Sequence, residues 1–310
     1  GTARGPRFDG AVTRGGYVWW YVDAVSADGR QGLTVIAFIG SVFSPYYAWD
    51  AARDPFAHCA VNVVLYGERG NRFAMTERNA RSLSRDATSF SLGPSSLEWD
   101  GSVLTIRLDE RSSPVPRAVR GTVRVRPRAL TAQPFTLDTH GLHRWWPMAP
   151  DCEVEAAFTA PALSWRGSGY HDTNDGDGAL EDAFTDWTWC RAPLKRGSAI
   201  LYDVRRRDGS GQNLTLRFDA DGTRREMRPP LAAGLPSTGL WRMPRTTRGD
   251  DGRAQVIRTF EDTPFYARSL LASTLDGEAV QPVHESLSLT RFRNPLVRLM
   301  LPFRMPRRIG

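Results

Sequence analysis

Two pairs of residues in this chain have types and spacing suited to acid–base chemistry. Tyr170 and Asp172 are two apart, as are His143 and Trp145. On a β-strand, residues two apart point to the same face. If the two segments are neighbours, an acid, an imidazole and two aromatic rings converge, a set from which general acid–base catalysis is commonly built. The strand-like stretch Glu153 to Phe158 lies between them and allows such a meander.

Other signatures lead nowhere. Gly209-Ser210-Gly211 follows Asp208 and reads as a hairpin turn rather than a nucleophile elbow. There is no Gly-x-Gly-x-x-Gly fingerprint, and the single lysine, Lys195, is followed by Arg196, which excludes a phosphate loop. A Schiff-base enzyme would depend on that lysine, which sits in a turn-like stretch. His140 and His143 have a His-x-x-His spacing without helical context or a third ligand, so no metal site is indicated. The acidic run Asp172-Thr173-Asn174-Asp175-Gly176-Asp177-Gly178 imitates a calcium loop, but Ala183 stands where the bidentate Glu is needed. It is expected to form a tight polar turn after a strand.

The elements that must position these residues are strands. Leu214, Leu216 and Phe218 alternate with polar residues, as do Leu104, Ile106 and Leu108, and Val123 and Val125. Leu33 to Ile39 and Ala60 to Tyr66 are continuously apolar, as strands buried on both faces would be. Asp28-Gly29, Asp100-Gly101, Asp208-Gly209, Asp221-Gly222 and Asp276-Gly277 mark turns. One short helix fits between Pro45 and Arg53. A faint repeat, Trp19-Trp20-Tyr21 and Trp187-Thr188-Trp189, each followed by a Gly turn and an apolar strand, predicts an all-β chain of two tandem barrels. The expected division is residues 1–175 and 176–310.

The 310 residues are 41% hydrophobic and 24% charged, a globular profile, with ten tryptophans available for a core or for lining an apolar pocket. The net charge of +7 and pI near 9.7 come almost wholly from arginine. Arginines spread along the chain without an accompanying motif argue against nucleic acid. Cys59, Cys152 and Cys190 are odd in number and widely spaced, which suits a reducing compartment and neither disulfides nor zinc. No apolar run reaches the ~20 residues of a transmembrane helix, and Gly1-Thr2-Ala3-Arg4 offers no signal-peptide core.

Several runs carry a specific resemblance. Gly40-Ser41-Val42-Phe43-Ser44-Pro45-Tyr46-Tyr47-Ala48-Trp49, Gly169-Tyr170-His171-Asp172-Thr173-Asn174 and Thr263-Pro264-Phe265-Tyr266-Ala267-Arg268-Ser269 resemble the carotenoid 1,2-hydratases. So does the tail, His284 to Leu289 and Leu301 to Pro306, and the likeness extends from about Gly15 to Arg307. The resemblance implies a tandem lipocalin-like fold and a cofactor-free bacterial hydratase acting on lycopene- or neurosporene-like chains. Its catalytic set, carried over by motif, is His143, Trp145, Tyr170 and Asp172, the two same-face pairs.

Under that reading Asp172 is the acid that protonates a terminal alkene. An aspartate with its ordinary pKa near 3.9 is ionised at pH 7, and apolar burial can raise it by up to ~3–5 units. A hydrogen bond from His143 would stabilise the anion left behind, or His143 would instead handle the water. Trp145 and Tyr170 would face the cation with their rings, at about 0.5–2 kcal/mol each. His171 has no assigned role. From Arg291 to Gly310 there are six arginines among apolar residues and no acid. That pattern suits either a membrane-surface segment on the cytoplasmic face of the inner membrane or a strand with an exposed basic tail. The rival readings are a lipocalin-like carotenoid carrier without chemistry and a carbohydrate-active protein pairing Asp172 with Glu181 or Asp182.

Overall fold

The computed structural model describes residues 4–68 and 70–308; Gly1-Thr2-Ala3 and the last two residues of the tail, named above, lie outside them. Two compact units form, one from the described residues up to Ala179 together with those from Leu299 onward, the other from Leu180 to Arg298.

In the first unit, β1 (Tyr17–Ser26), β2 (Gly32–Ile39), β3 (Cys59–Tyr66) and β4 (Arg72–Arg78) make an antiparallel meander. A second meander follows, β5 (Leu83–Arg85), β6 (Ser89–Leu92), β7 (Ser95–Trp99), β8 (Leu104–Arg111) and β9 (Ala118–Pro127). After the brief β10 (Phe135–Thr136), a long hairpin is made by β11 (His143–Ala160) and β12 (Ala162–Gly176). Since β12 pairs with β1 and β11 with β9, the sheet runs β4-β3-β2-β1-β12-β11-β9-β8-β7-β6-β5. It curls into a half-barrel. Arg78 of β4 grips Glu110 of β8 through two hydrogen bonds of 3.1 and 2.8 Å, both groups buried, which draws distant strands together.

In the second unit, β13 (Phe184–Pro193), β14 (Ser198–Arg206), β15 (Gly211–Phe218) and β16 (Arg224–Glu226) repeat the first meander. A separate ribbon, β17 (Leu231–Leu235) with β18 (Arg245–Gly249), precedes β19 (Ala254–Asp262), β20 (Tyr266–Leu275), β21 (Glu278–Val280) and β22 (Val283–Ser288). The order β16-β15-β14-β13-β22-β20-β19 matches β4-β3-β2-β1-β12-β11-β9 of the first unit, strand for strand; β8 to β5 have no counterpart in that sheet. The expected tandem architecture therefore stands. The helices are short: α1 (Pro45–Trp49), inside the span expected for it, then α2 (Leu180–Ala183), α3 (Leu289–Phe292) and α4 (Pro295–Met300). Finally β23 (Arg307–Arg308) pairs parallel to β4, so the last part of the chain returns to the first unit rather than ending in the second.

Two expectations need correction. The stretch Asp172–Gly176 is strand, not turn, and the chain turns only after it. Pairing with β1 on one side and β11 on the other overrides the turn preference of Asp, Asn and Gly. Likewise Glu153–Phe158 is no separate strand but the continuation of β11, so the two residue pairs meet through one hairpin.

The first unit's core is filled by side chains from one face of each strand, among them Trp20, Val22 and Ala24 of β1, Val35 and Ala37 of β2, and Val154 and Ala156 of β11. Both β2 and β3 are almost wholly buried, as their continuous apolar character predicts. Alternation then fixes what the opposite face of β1 carries: Tyr17, Trp19, Tyr21 and Asp23, which are buried as well.

Candidate active site

The middle of β12 is where three of the expected residues, Trp145, Tyr170 and Asp172, meet, with His143 further along the same face. Across β1 the register sets Asp172 opposite Tyr21, Tyr170 opposite Asp23, and Asn174 opposite Trp19. Across β11, Asn174 faces Trp145 and Gly176 faces His143. Residues in register share a face, so the two predicted pairs lie on one surface with the outer residues of β1. His143, Trp145, Tyr170 and Asp172 are all buried.

The Asp172 carboxyl is held by neutral donors. The Trp145 indole N–H donates to Oδ2 at 2.9 Å, and the Tyr170 hydroxyl donates to the same oxygen at 2.8 Å. The indole nitrogen is also 3.1 Å from the Tyr170 oxygen, so the three groups form a closed triangle. Burial, and then the neighbouring Asp172 charge, push the Tyr170 phenol well above its ordinary pKa, so it keeps its proton and donates. With Oδ2 receiving two hydrogen bonds, a proton carried by this carboxyl belongs on Oδ1.

The geometry of β11 here depends on two prolines. Its register with β12 shifts between Trp146 and Ala149 and again between Ala149 and Cys152, at Pro147 and Pro150. Proline has no N–H for the ladder, so bulges form, and they re-aim the end of the strand that carries His143 and Trp145.

His143 sits at the far end of the same row. Four residues of β12, roughly 13 Å of strand, separate its register partner Gly176 from Asp172, with Trp145 between. The Asp138 carboxylate accepts from the His143 backbone N–H at 2.8 Å. On the ring, Nδ1 lies 3.0 Å from the Tyr17 hydroxyl, and the two rings stack at 5.9 Å. Tyr17 is on β1 and His143 on β11, so they meet across the intervening β12. This works because residue 176 is glycine: a Cβ there would lie 2.6 Å from the Tyr17 ring and 2.7 Å from His143 Nδ1.

Sequence reasoning grouped Trp145, Tyr170 and Asp172 with His143 on one face but missed the contribution of β1. Tyr17, Trp19, Tyr21 and Asp23 recur every second position and end in a carboxylate, a signal of which only Trp19 and Tyr21 enter the repeat noted above. His171 turns to the opposite face, where its Nδ1–H donates to the Tyr21 carbonyl at 2.8 Å. Burial pushes its pKa down to about 4, so it is neutral at pH 7. His140 is exposed while His143 is buried, so the His-x-x-His spacing joins nothing. Glu181 is committed to Arg298 at 2.6 Å.

With this geometry in hand, the chain can be compared with known proteins. The family carotenoid hydratase CrtC matches residues 35–310. The acyclic carotenoid 1,2-hydratase of Thiocapsa roseopersicina is 54% identical over 309 residues, covering 98% of this chain and 76% of that protein. That of Rubrivivax gelatinosus is 49% identical over 310 residues, with the same coverage of 98% and 76%. Two solved structures share the fold at low identity. A protein designated AttH from Nitrosomonas europaea has a TM-score of 0.61 at 14% identity, covering 92% of this chain and 99% of its own. CghA also reaches 0.61, at 10% identity, covering 93% and 96%.

Proposed function

The chain belongs to the carotenoid hydratase CrtC family, and from that premise we propose that it adds water across the terminal C1–C2 double bond of an acyclic carotenoid. The substrate is a lycopene- or neurosporene-like chain, the product a tertiary 1-hydroxy carotenoid, and no cofactor takes part. The protein works as a peripheral protein at the cytoplasmic face of the inner membrane, where such a substrate resides. Among the described residues no helix is long and apolar enough to cross that membrane.

One observation carries the reading: a buried carboxyl whose two donors, Trp145 and Tyr170, are both neutral. A carboxyl so placed can hold a proton on Oδ1. The alkene π electrons take that proton at C2, which leaves a tertiary cation at C1 and a carboxylate at Asp172. The new charge is met at Oδ2 by hydrogen bonds already in place, each worth about 1.5–3 kcal/mol to a charged acceptor. Trp145 and Tyr170 thus act first through their N–H and O–H, with any ring-face contribution added to that. Water then bonds to C1 and gives up a proton to His143. For this the Nδ1–H of His143 donates to the Tyr17 oxygen, and Nε2 is the atom that receives the proton. Release of that proton from His143 to solvent and uptake of one from solvent at Asp172 restore the starting state, so the balance is alkene plus water to alcohol. Two such hydrogen bonds fall short of the ~8 kcal/mol that even modest catalysis requires. Placement of acid, alkene and water accounts for the rest.

The test is anaerobic incubation of the purified protein, without added cofactor, with lycopene in liposomes made in oxygen-18 water. The expected product is a tertiary alcohol bearing the heavy oxygen, absent with Asp172→Asn. Retained but unaltered carotenoid, across several acyclic substrates, would make the protein a carrier instead.

A further inference from the structure

The segment from Leu296 to Phe303 contains an apolar stripe on the wrong side. Leu296, Leu299, Met300 and Phe303 are spaced i, i+3, i+4, i+7, the pattern by which a helix normally faces a core. Here α4 and the short 3-10 turn Leu301–Phe303 turn it to solvent: the four side chains are 70, 61, 38 and 76% exposed. The opposite side is anchored by buried Leu301 and Met305. Arg298 is tied to Glu181, and the Phe303 carbonyl accepts from Ser113 at 2.6 Å, so the stripe is held in place.

The basic residues around it are less available than their number suggests. Arg291 donates to the carbonyls of Trp241, Arg242 and Pro264, and Arg298 also lies over the Phe292 ring. Arg304 covers the Phe73 ring, and Arg307 pairs with Glu77 at 3.2 Å. Arg293, though exposed, donates to the Glu181 carbonyl at 3.3 Å and lies 3.9 Å from the Asp182 carboxylate; Arg308 is exposed, and no acid follows Glu285.

We propose that this stripe is the surface by which the protein enters the headgroup region of a lipid bilayer, with apolar insertion rather than charge supplying most of the attachment. Two exposed guanidiniums, with no carboxylate in the segment, suit a phosphate-rich layer. A second copy of the chain is a poorer occupant. The four side chains expose on the order of 400 Å², against ~800 Å² per partner in a stable dimer. The inference rests on the proposed function only in that an apolar, membrane-borne substrate gives such a surface its purpose.

Flotation with vesicles that contain no carotenoid tests the surface separately from the chemistry. The protein should float with phosphatidylcholine alone and only slightly more with phosphatidylglycerol added. The double variant Leu296→Ser/Phe303→Ser should lose about tenfold in vesicle binding, while keeping its melting temperature and its turnover of detergent-dispersed carotenoid. Arg293→Gln/Arg308→Gln should change binding less than threefold. Wild-type protein that fails to float, a serine variant that floats unchanged, or an arginine variant that loses as much as the serine variant would overturn the proposal. So would a wild-type dimer that the serine variant dissociates, since a second copy would then be the occupant.

Discussion

In the first unit β12 reads Tyr170-His171-Asp172-Thr173; in the second, β22 reads Val283-His284-Glu285-Ser286. The two strands hold the same place in the same order, each paired with the opening strand of its meander. His171 is in register with Val22 of β1, and His284 with Cys190 of β13, so Asp172 and Glu285 occupy equivalent positions. Their company differs. Asp172 is held by an indole and a phenol, whereas Glu285 pairs with the buried guanidinium of Arg268. A guanidinium offers an ion pair, where an indole and a phenol offer only neutral hydrogen bonds. On the proposed mechanism one duplicated position serves chemistry in one unit, while its counterpart is held in an ion pair, and the donor beside it makes the difference.

The strongest way to break this contrast is to neutralise each acid in turn. Asp172→Asn should lower turnover by at least ~10³-fold with little change in stability. Glu285→Gln should do the reverse. Removing the charged partner of buried Arg268 should cost about 3–5 kcal/mol, read as a lower melting temperature, with kcat at low temperature within about threefold. Equal kinetic losses from both would mean that the two positions share a role.

Removing one donor at a time sharpens the account. Tyr170→Phe and Trp145→Phe each take one hydrogen bond from Oδ2 and should each cost about 10–100-fold in kcat. A double variant no worse than either single would show that the triangle acts as a unit.

The histidines beside the acids are where the units agree. Burial pushes His284, like His171, down to about 4, and its Nε2–H donates to the Thr246 carbonyl. Both pKa values lie below the ordinary 6.5, so the unfolded chain takes up protons first as pH falls. Stability is complete above pH 6.5 and declines toward pH 4, by about 2 kcal/mol per histidine at pH 5. Urea midpoints at pH 7.5 and 5 should show this, and His171→Asn and His284→Asn should each remove about half of the slope.

The smallest effect concerns Tyr17. Tyr17→Phe should lower kcat by about 3–10-fold and move the pH–rate profile, because His143 loses the partner that fixes its tautomer. A lower kcat with an unmoved profile would make the contact structural only.

Much of this was legible in the chain. Strand alternation and Asp-Gly turns gave the all-β class, and spacing by two grouped Tyr170 with Asp172 and His143 with Trp145. What was hidden depends on pairing. Residues 172 to 176 read as turn until β1 and β11 flank them, and nothing local marks Tyr17 through Asp23 as neighbours of β12 until the register sets them beside it. The tail's i, i+3, i+4, i+7 pattern was visible, but the face it turns outward is decided by what Leu301 and Met305 bury.

Gly176 carries a consequence for heredity. Every amino acid one nucleotide away from a glycine codon brings a Cβ, and a Cβ at this position collides with both Tyr17 and His143. Position 176 thus has no neighbour in the genetic code that leaves the Tyr17–His143 contact undisturbed.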